Sequence, residues 1–324
     1  MPADLPIRLR RLRRTSALRD LVRETQLSKN DLVFPIFVND GITERMPVPS
    51  MPGVDNLPES ALAAEVQRAW DAGIKAVILF GVTDQKDAIG EDSLRDDGLM
   101  ARMIRIAKSA VPEIAVISDN CFCEYTDHGH CGVLCDGAVD NDATLANLAQ
   151  QAVVAARAGA DLVAPSGMMD GMVGAMRARL DAAGFSHVGI MAYSSKFASA
   201  FYGPFRDAVD STFKGNRHGY QLDAGNAREA IAESLLDEQE GADILMVKPG
   251  IAYLDILARL KQEVSRPLAV YQVSGEYAMI KHAAAAGALD EKAIVLETLT
   301  SFKRAGADLI LTYFAVEVAG WLEG

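Results

Sequence analysis

AlaGlyAlaAsp at residues 158–161 runs directly into the apolar stretch Leu162–Ala164, and the same four residues at 305–308 run into Leu309–Tyr313. A variant, GluGlyAlaAsp at 240–243, precedes Ile244–Val247, and a shorter AlaGly at 72–73 stands just ahead of Lys75–Phe80. Glycine just past a helical stretch is a stop signal, because it takes left-handed backbone without steric penalty. The short runs that follow are apolar on both faces, as a parallel sheet covered by helices requires. Adding the runs that lack the tag predicts eight strands, near 32–38, 75–81, 114–119, 160–165, 187–193, 242–248, 267–273 and 307–313. Helical patterns separate most of them, at 57–72, 97–110, 142–158, 170–183, 224–240, 252–263 and 289–304. Eight β–α units in one α/β chain predict a closed (β/α)8 TIM barrel. A doubly wound open sheet would need fewer strands and a nucleotide fingerprint, and neither GxGxxG nor GxxxxGK[ST] occurs.

The chain has 324 residues, 50% of them apolar and 23% charged, which is ample material for one large core and excludes disordered and fibrous classes. No linker or low-complexity stretch divides it. The expected organisation is an N-terminal arm at 1–30 and a barrel at 31–324. Net charge is −12, yet residues 1–23 hold seven arginines against Asp4 and Asp20, a local +5 that leaves −17 on the remainder. So acidic a body argues against nucleic acid as a partner. The basic stretch Arg8–Arg23 fits an arm docking on an acidic neighbouring subunit, a targeting peptide, or a solvated tail. No run of 18 apolar residues occurs and no apolar segment follows the N-terminal charge, so neither a membrane span nor a secretory signal is expected, and a cytoplasmic location is.

Barrel enzymes build their sites at the C-terminal ends of the strands. Here those ends offer Phe80, Asp119, Ser166, Tyr193 with Lys196 close behind, Lys248, Ser274 and Tyr313. Strands five and six are neighbours in a sequentially wound barrel, which brings Lys196 and Lys248 to one side of the mouth. Two ammonium ions about 5 Å apart at an effective dielectric of about 20 repel by roughly 3 kcal/mol, about two pKa units. One amine would then be partly neutral and able to attack a carbonyl carbon to form a Schiff base. The alternative is two solvated lysines at loop starts, which the apolar flanks MetVal and ProGly around Lys248 disfavour.

All four cysteines lie between 121 and 135, directly after the third strand, in AspAsnCysPheCysGluTyrThrAspHisGlyHisCys and just beyond it. Cys121, Cys123 and Cys131 suit three thiolate ligands of a catalytic zinc with its fourth position open, while His130 or Cys135 could close the set instead. A redox pair or buried small hydrophobes are the other readings. The long stretch between Lys196 and the helix near Ala224 shows no regular pattern and suggests a lid. Arg206 and Arg217 within it are candidate carboxylate clamps, or surface charge.

Four segments carry a resemblance: SerAspAsnCysPheCysGluTyrThrAspHisGlyHisCysGly at 118–132, TyrSerSerLysPheAlaSerAlaPheTyrGlyProPheArgAspAla at 193–208, MetValLysProGly at 246–250 and TyrGlnValSerGlyGluTyrAlaMet at 271–279. The chain resembles the porphobilinogen synthase (5-aminolevulinate dehydratase) family of the zinc-using bacterial type, essentially end to end. The resemblance implies a barrel whose arm wraps a neighbour in a homo-octamer, and so favours the subunit reading of Arg8–Arg23. It implies condensation of two molecules of 5-aminolevulinic acid to porphobilinogen with loss of two waters, in tetrapyrrole and haem synthesis. By the same resemblance Lys248 forms the Schiff base with one substrate, and Lys196 forms one with the other or assists. Arg206 and Arg217 match the carboxylate clamp of one substrate, Ser274 and Tyr313 that of the other. Asp119, Ser166 and Gln221 match pocket residues, and Cys121, Cys123 and Cys131 match the zinc ligands. Glu233 matches a carboxylate that binds an activating, allosteric magnesium at a subunit interface. One departure is Gly167, where relatives often carry Asp or Ala. Two competing readings are a Schiff-base aldolase acting on sugar phosphates and a non-catalytic zinc-binding interaction protein. The acidic strand ends SerGlyGluTyr at 274–277 and TyrPheAlaValGlu at 313–317 suit phosphate poorly.

Overall fold

A computed structural model describes residues 6–209 and 216–322. Residues 1–5 of the expected arm and 210–215 of the expected lid lie outside the described residues. Eight parallel strands follow one another around a barrel: β1 (Leu32–Asn39), β2 (Ala76–Val82), β3 (Ala115–Asn120), β4 (Leu162–Pro165), β5 (Gly189–Lys196), β6 (Ile244–Lys248), β7 (Leu268–Tyr271) and β8 (Leu309–Leu311). Pairing of Leu32 with Ile310 and of Val33 with Leu311 joins β1 to β8 and closes the ring. A short antiparallel ribbon, Met46–Pro47 with Asp55–Leu57, is appended beside β1. The strands are buried on both faces, β7 along its whole length, so hydrophobic packing inside and under the helical shell dictates their apolar sequence.

The tag residues work as read, and the aspartate adds something the pattern did not disclose. Gly73, Gly159, Gly241 and Gly306 all have positive φ, between 93° and 124°, where a side chain would be strained. The aspartate two residues on reaches across to the neighbouring strand. Asp161 Oδ2 accepts from Val116 N of β3 at 2.7 Å, Asp243 Oδ2 from Ile190 N of β5 at 2.8 Å, and Asp308 Oδ2 from Leu268 N of β7 at 2.9 Å. Each of these aspartates precedes an even-numbered strand and satisfies the first free amide of the odd-numbered strand before it.

Three expectations need correction. The strand at β5 runs on to Lys196 rather than ending at Tyr193, so this lysine belongs to the barrel wall. The segment read as patternless holds a 3-10 turn at Ala200–Tyr202 and a helix at Gly203–Ala208, started by a proline in its first turn. A helix at Ser274–Ala285 follows β7 where none was anticipated. In the arm, the described part forms a 3-10 turn at Leu9–Arg13 and a helix at Ser16–Leu21, and leaves Ile7, Leu9 and Leu21 each 79% exposed.

Candidate active site

The register between β5 and β6 sets Lys196 directly opposite Lys248. Both side chains point into the mouth and are buried, 5% and 6% exposed. Lys196 Nζ donates to the carbonyl of Ser166 at the end of β4. Lys248 Nζ sits in a box of aromatic rings, 4.4 Å from the centroid of Tyr271, 4.9 Å from Tyr193, 5.3 Å from Phe205 and 5.5 Å from Tyr202. Tyr193 is shared, its centroid lying 5.4 Å from Lys196 Nζ. Burial lowers the Lys248 ammonium from its usual range to about 7, with Lys196 adding to the shift. The neutral amine expected from charge repulsion therefore arises first from desolvation.

Asp119, on β3, faces both amines. Ser166 Oγ donates to its Oδ2 at 3.1 Å, while Oδ1 has no hydrogen-bond partner among the described residues. Burial raises its carboxyl and the two lysines oppose that rise. A narrow cavity opens here, lined by Asp119, Cys123, Ser166, Lys196, Lys248, Arg206 and Arg217 together with Phe80, Tyr202 and Phe205. Arg217 Nη2 also donates to the carbonyl of Gly129 in the cysteine loop at 2.9 Å. Two buried amines and two guanidiniums, Arg217 half-buried and Arg206 exposed, thus line one space, an arrangement suited to a small substrate bearing a carboxylate and a ketone.

Cys121, Cys123 and Cys131 are buried, and their sulfurs all lie within 4.8 Å of one another; this is the one such ligand cluster among the described residues. A tetrahedral ion with metal–sulfur bonds of ~2.3 Å holds its sulfurs ~3.8 Å apart, so the three positions fit a metal. Hydrogen bonds from Cys121 and Cys123 draw the Cys131 thiol well below its usual range, helped by Arg217 and Lys196. Neither residue considered as a fourth ligand joins them: Cys135 is exposed on the hairpin of Leu134–Cys135 with Ala138–Val139, and the His130 ring pairs with the Tyr220 hydroxyl at 3.2 Å.

The other candidates lie at the edges of this centre. Tyr313 hydroxyl meets that of Tyr271 at 3.2 Å, one ring away from Lys248. Ser274 Oγ accepts from Phe205 N at 2.9 Å and donates to the carbonyl of Phe201 at 3.3 Å, so it braces the segment that carries Arg206. Gln221 is buried with its Nε2 lacking a partner among the described residues, and faces an adjacent open cleft together with Glu233, Glu229 and Asp170. Burial, then Asp170, Glu240 and Glu229, push the Glu233 carboxyl up to about 7. Sequence reasoning missed the aromatic box, whose rings come from four separate elements, and Glu124, whose Oε2 lies 3.2 Å from Cys123 Sγ in the same cavity.

A family model for delta-aminolevulinic acid dehydratase matches residues 6–321. The chain belongs to the delta-aminolevulinic acid dehydratase family. It is 60% identical to the delta-aminolevulinic acid dehydratase of Escherichia coli K12 over 98% of each chain, and 53% identical to that of Halalkalibacterium halodurans over 97% of this chain and 96% of that one. A crystal structure of the Toxoplasma gondii dehydratase (porphobilinogen synthase) in complex with the reaction product porphobilinogen is 46% identical and superimposes with a TM-score of 0.96, covering 98% of this chain and 92% of that chain. No helix among the described residues is long and apolar enough to cross a membrane.

Proposed function

We propose that this chain is a hydro-lyase that joins two molecules of 5-aminolevulinic acid into porphobilinogen with loss of two waters, through imines on Lys248 and Lys196. The observation that carries the reading is the facing pair of buried lysines in one cavity with two arginines. The neutral Lys248 amine adds to the ketone of one substrate; water leaves and an iminium remains, which acidifies the neighbouring C–H for carbon–carbon bond formation. Lys196 stands where it can do the same for the second substrate or pass it a proton. Asp119, raised by burial and tied to Ser166, is suited to hold or return that proton. Arg206 and Arg217 grip one substrate carboxylate, and Ser274 with Tyr313 serve the other. The aromatic box keeps bulk water from the imine.

The metal of the three cysteines is zinc in this reading, since thiolates favour it and three ligands leave one position open; when bound it supplies a Lewis acid beside the second substrate. Glu233 takes an activating, allosteric magnesium, supported by the raised carboxyl and its acidic neighbours Asp170 and Glu229. The arm at 1–30 packs on a neighbouring subunit of a homo-octamer, for which its exposed Ile7, Leu9, Leu12 and Leu21 between arginines are the motive. The enzyme is placed in the cytoplasm.

Borohydride added with 5-aminolevulinic acid should leave a covalent adduct on Lys248, read by mass spectrometry of a digest. Lys248→Met should lose at least about a thousandfold in turnover. An unshifted Lys248 peptide from active enzyme would overturn the assignment.

A further inference from the structure

Glu276 is fully buried, and no cation pairs with it among the described residues. A carboxylate in that position is costly unless backbone or side-chain donors surround it. One oxygen accepts from Val273 N at 2.8 Å, the ordinary reach-back of a third helical residue to the residue before its helix. A cap needs no more than this. The same carboxylate also accepts from Ile251 N at 2.6 Å and Gly250 N at 3.4 Å, and those amides belong to the loop that leaves β6 two residues after Lys248. Two foreign amides make it a bridge between strand ends.

The bridge closes a circuit. From Lys248 the circuit passes through Gly250 and Ile251 to Glu276, and from Glu276 to the helix start at Ser274. Ser274 Oγ holds Phe205 N and the Phe201 carbonyl, in the segment that carries Arg206. Tyr202, in that segment, donates from its hydroxyl back to the Lys248 carbonyl at 3.3 Å. The contact is close throughout: a Cβ on Gly275 would stand 2.5 Å from the Phe201 carbonyl oxygen.

We propose that Glu276 is a positioning residue, fixing the distance from the Lys248 amine to the Ser274 side of one carboxylate grip and, through the Ser274–Phe205 contact, to the Arg206 side of the other. This rests on the Schiff-base reading given above. Loss of a bridge that only sets a distance should weaken the grip and leave the amine competent. Glu276→Gln keeps the shape but turns one acceptor into a donor facing an N–H. In that variant KM for 5-aminolevulinic acid should rise about tenfold or more, with the fraction of Lys248 trapped by borohydride at saturating substrate equal to wild type. In a Ser274→Ala background the same change should raise KM by less than about twofold, because the residue acts through Ser274. An unchanged KM with a lowered melting temperature would reduce Glu276 to a structural cap, and multiplying effects in the double variant would equally overturn the proposal. Should Glu276→Gln not fold, Glu276→Asp serves: a raised KM supports the bridge and a wild-type KM sinks it. Wild-type enzyme that fails to trap substrate at all indicts the Schiff-base reading instead, so the two failures are distinguishable.

Discussion

In the proposed reaction, Lys248 is where burial is turned into reactivity. Four rings surround its amine, and withdrawal from water, more than the neighbouring Lys196, brings its titration to about 7. Below that pH the neutral fraction falls tenfold per unit. We expect log kcat/KM to climb with unit slope from acid and to bend near pH 7, the value belonging to the pair of amines because they interact. A bend only above about pH 9 would mean that the box does not desolvate the amine. The sign for stability follows from the same shift. The folded protein binds fewer protons than the unfolded chain between about 7 and the ordinary lysine value of 10.5, so this group's contribution is present above 10.5 and is lost as pH falls through 7.

Among the elements, the tag aspartates show how a short repeated motif organises a barrel. Asp243 stands ahead of β6 yet hydrogen-bonds the amide of Ile190 in β5. Asp243→Ala should cost about 1–2 kcal/mol in urea unfolding, since it strips an acceptor from a strand-end amide, and Asp243→Asn should cost clearly less. Equal losses would mean that the hydrogen bond is not what the aspartate contributes. The same bonds explain why the strands were read as starting at 160, 242 and 307 when they begin at Leu162, Ile244 and Leu309: the intervening Ala-Asp pair is a turn whose side chain serves the neighbour. Apolar runs and glycine stops made the order of the strands legible. The helix at Ser274–Ala285 was not, because SerGly opens it and a tertiary bridge, Glu276 to Gly250 and Ile251, helps to fix its start.

For the whole molecule, closure of the ring is what converts sequence separation into proximity. Asp119, Lys196, Arg217 and Lys248 stood far apart in the chain, and the strand-end rule gathered three of them, while Arg206 and Arg217 were legible as carboxylate clamps or surface charge in a long connection, without their place beside the lysines. The aromatic box escaped notice because Tyr193, Tyr202, Phe205 and Tyr271 become a unit only when three separate stretches meet. At this scale belongs the arm, whose apolar residues are exposed in the single chain. Deleting residues 1–25 should yield smaller assemblies by light scattering while the barrel still folds; particles of unchanged size would return the arm to a solvated tail.

The hairpin of Leu134–Cys135 with Ala138–Val139 gives this enzyme an address for a reporter. Cys135 is its one exposed thiol, and the other three are buried together. With metal in place, a maleimide dye should modify a single cysteine per chain, without touching the lysines. Stripping the metal with a chelator should raise the number of reactive thiols toward four, and a count that stays at one through chelation would show the cluster closed regardless of metal. Because that one sulfur follows the other three along the same loop, a dye on it would watch the metal's arrival and departure from a few residues away, a fluorescent readout of loading that requires no engineered site.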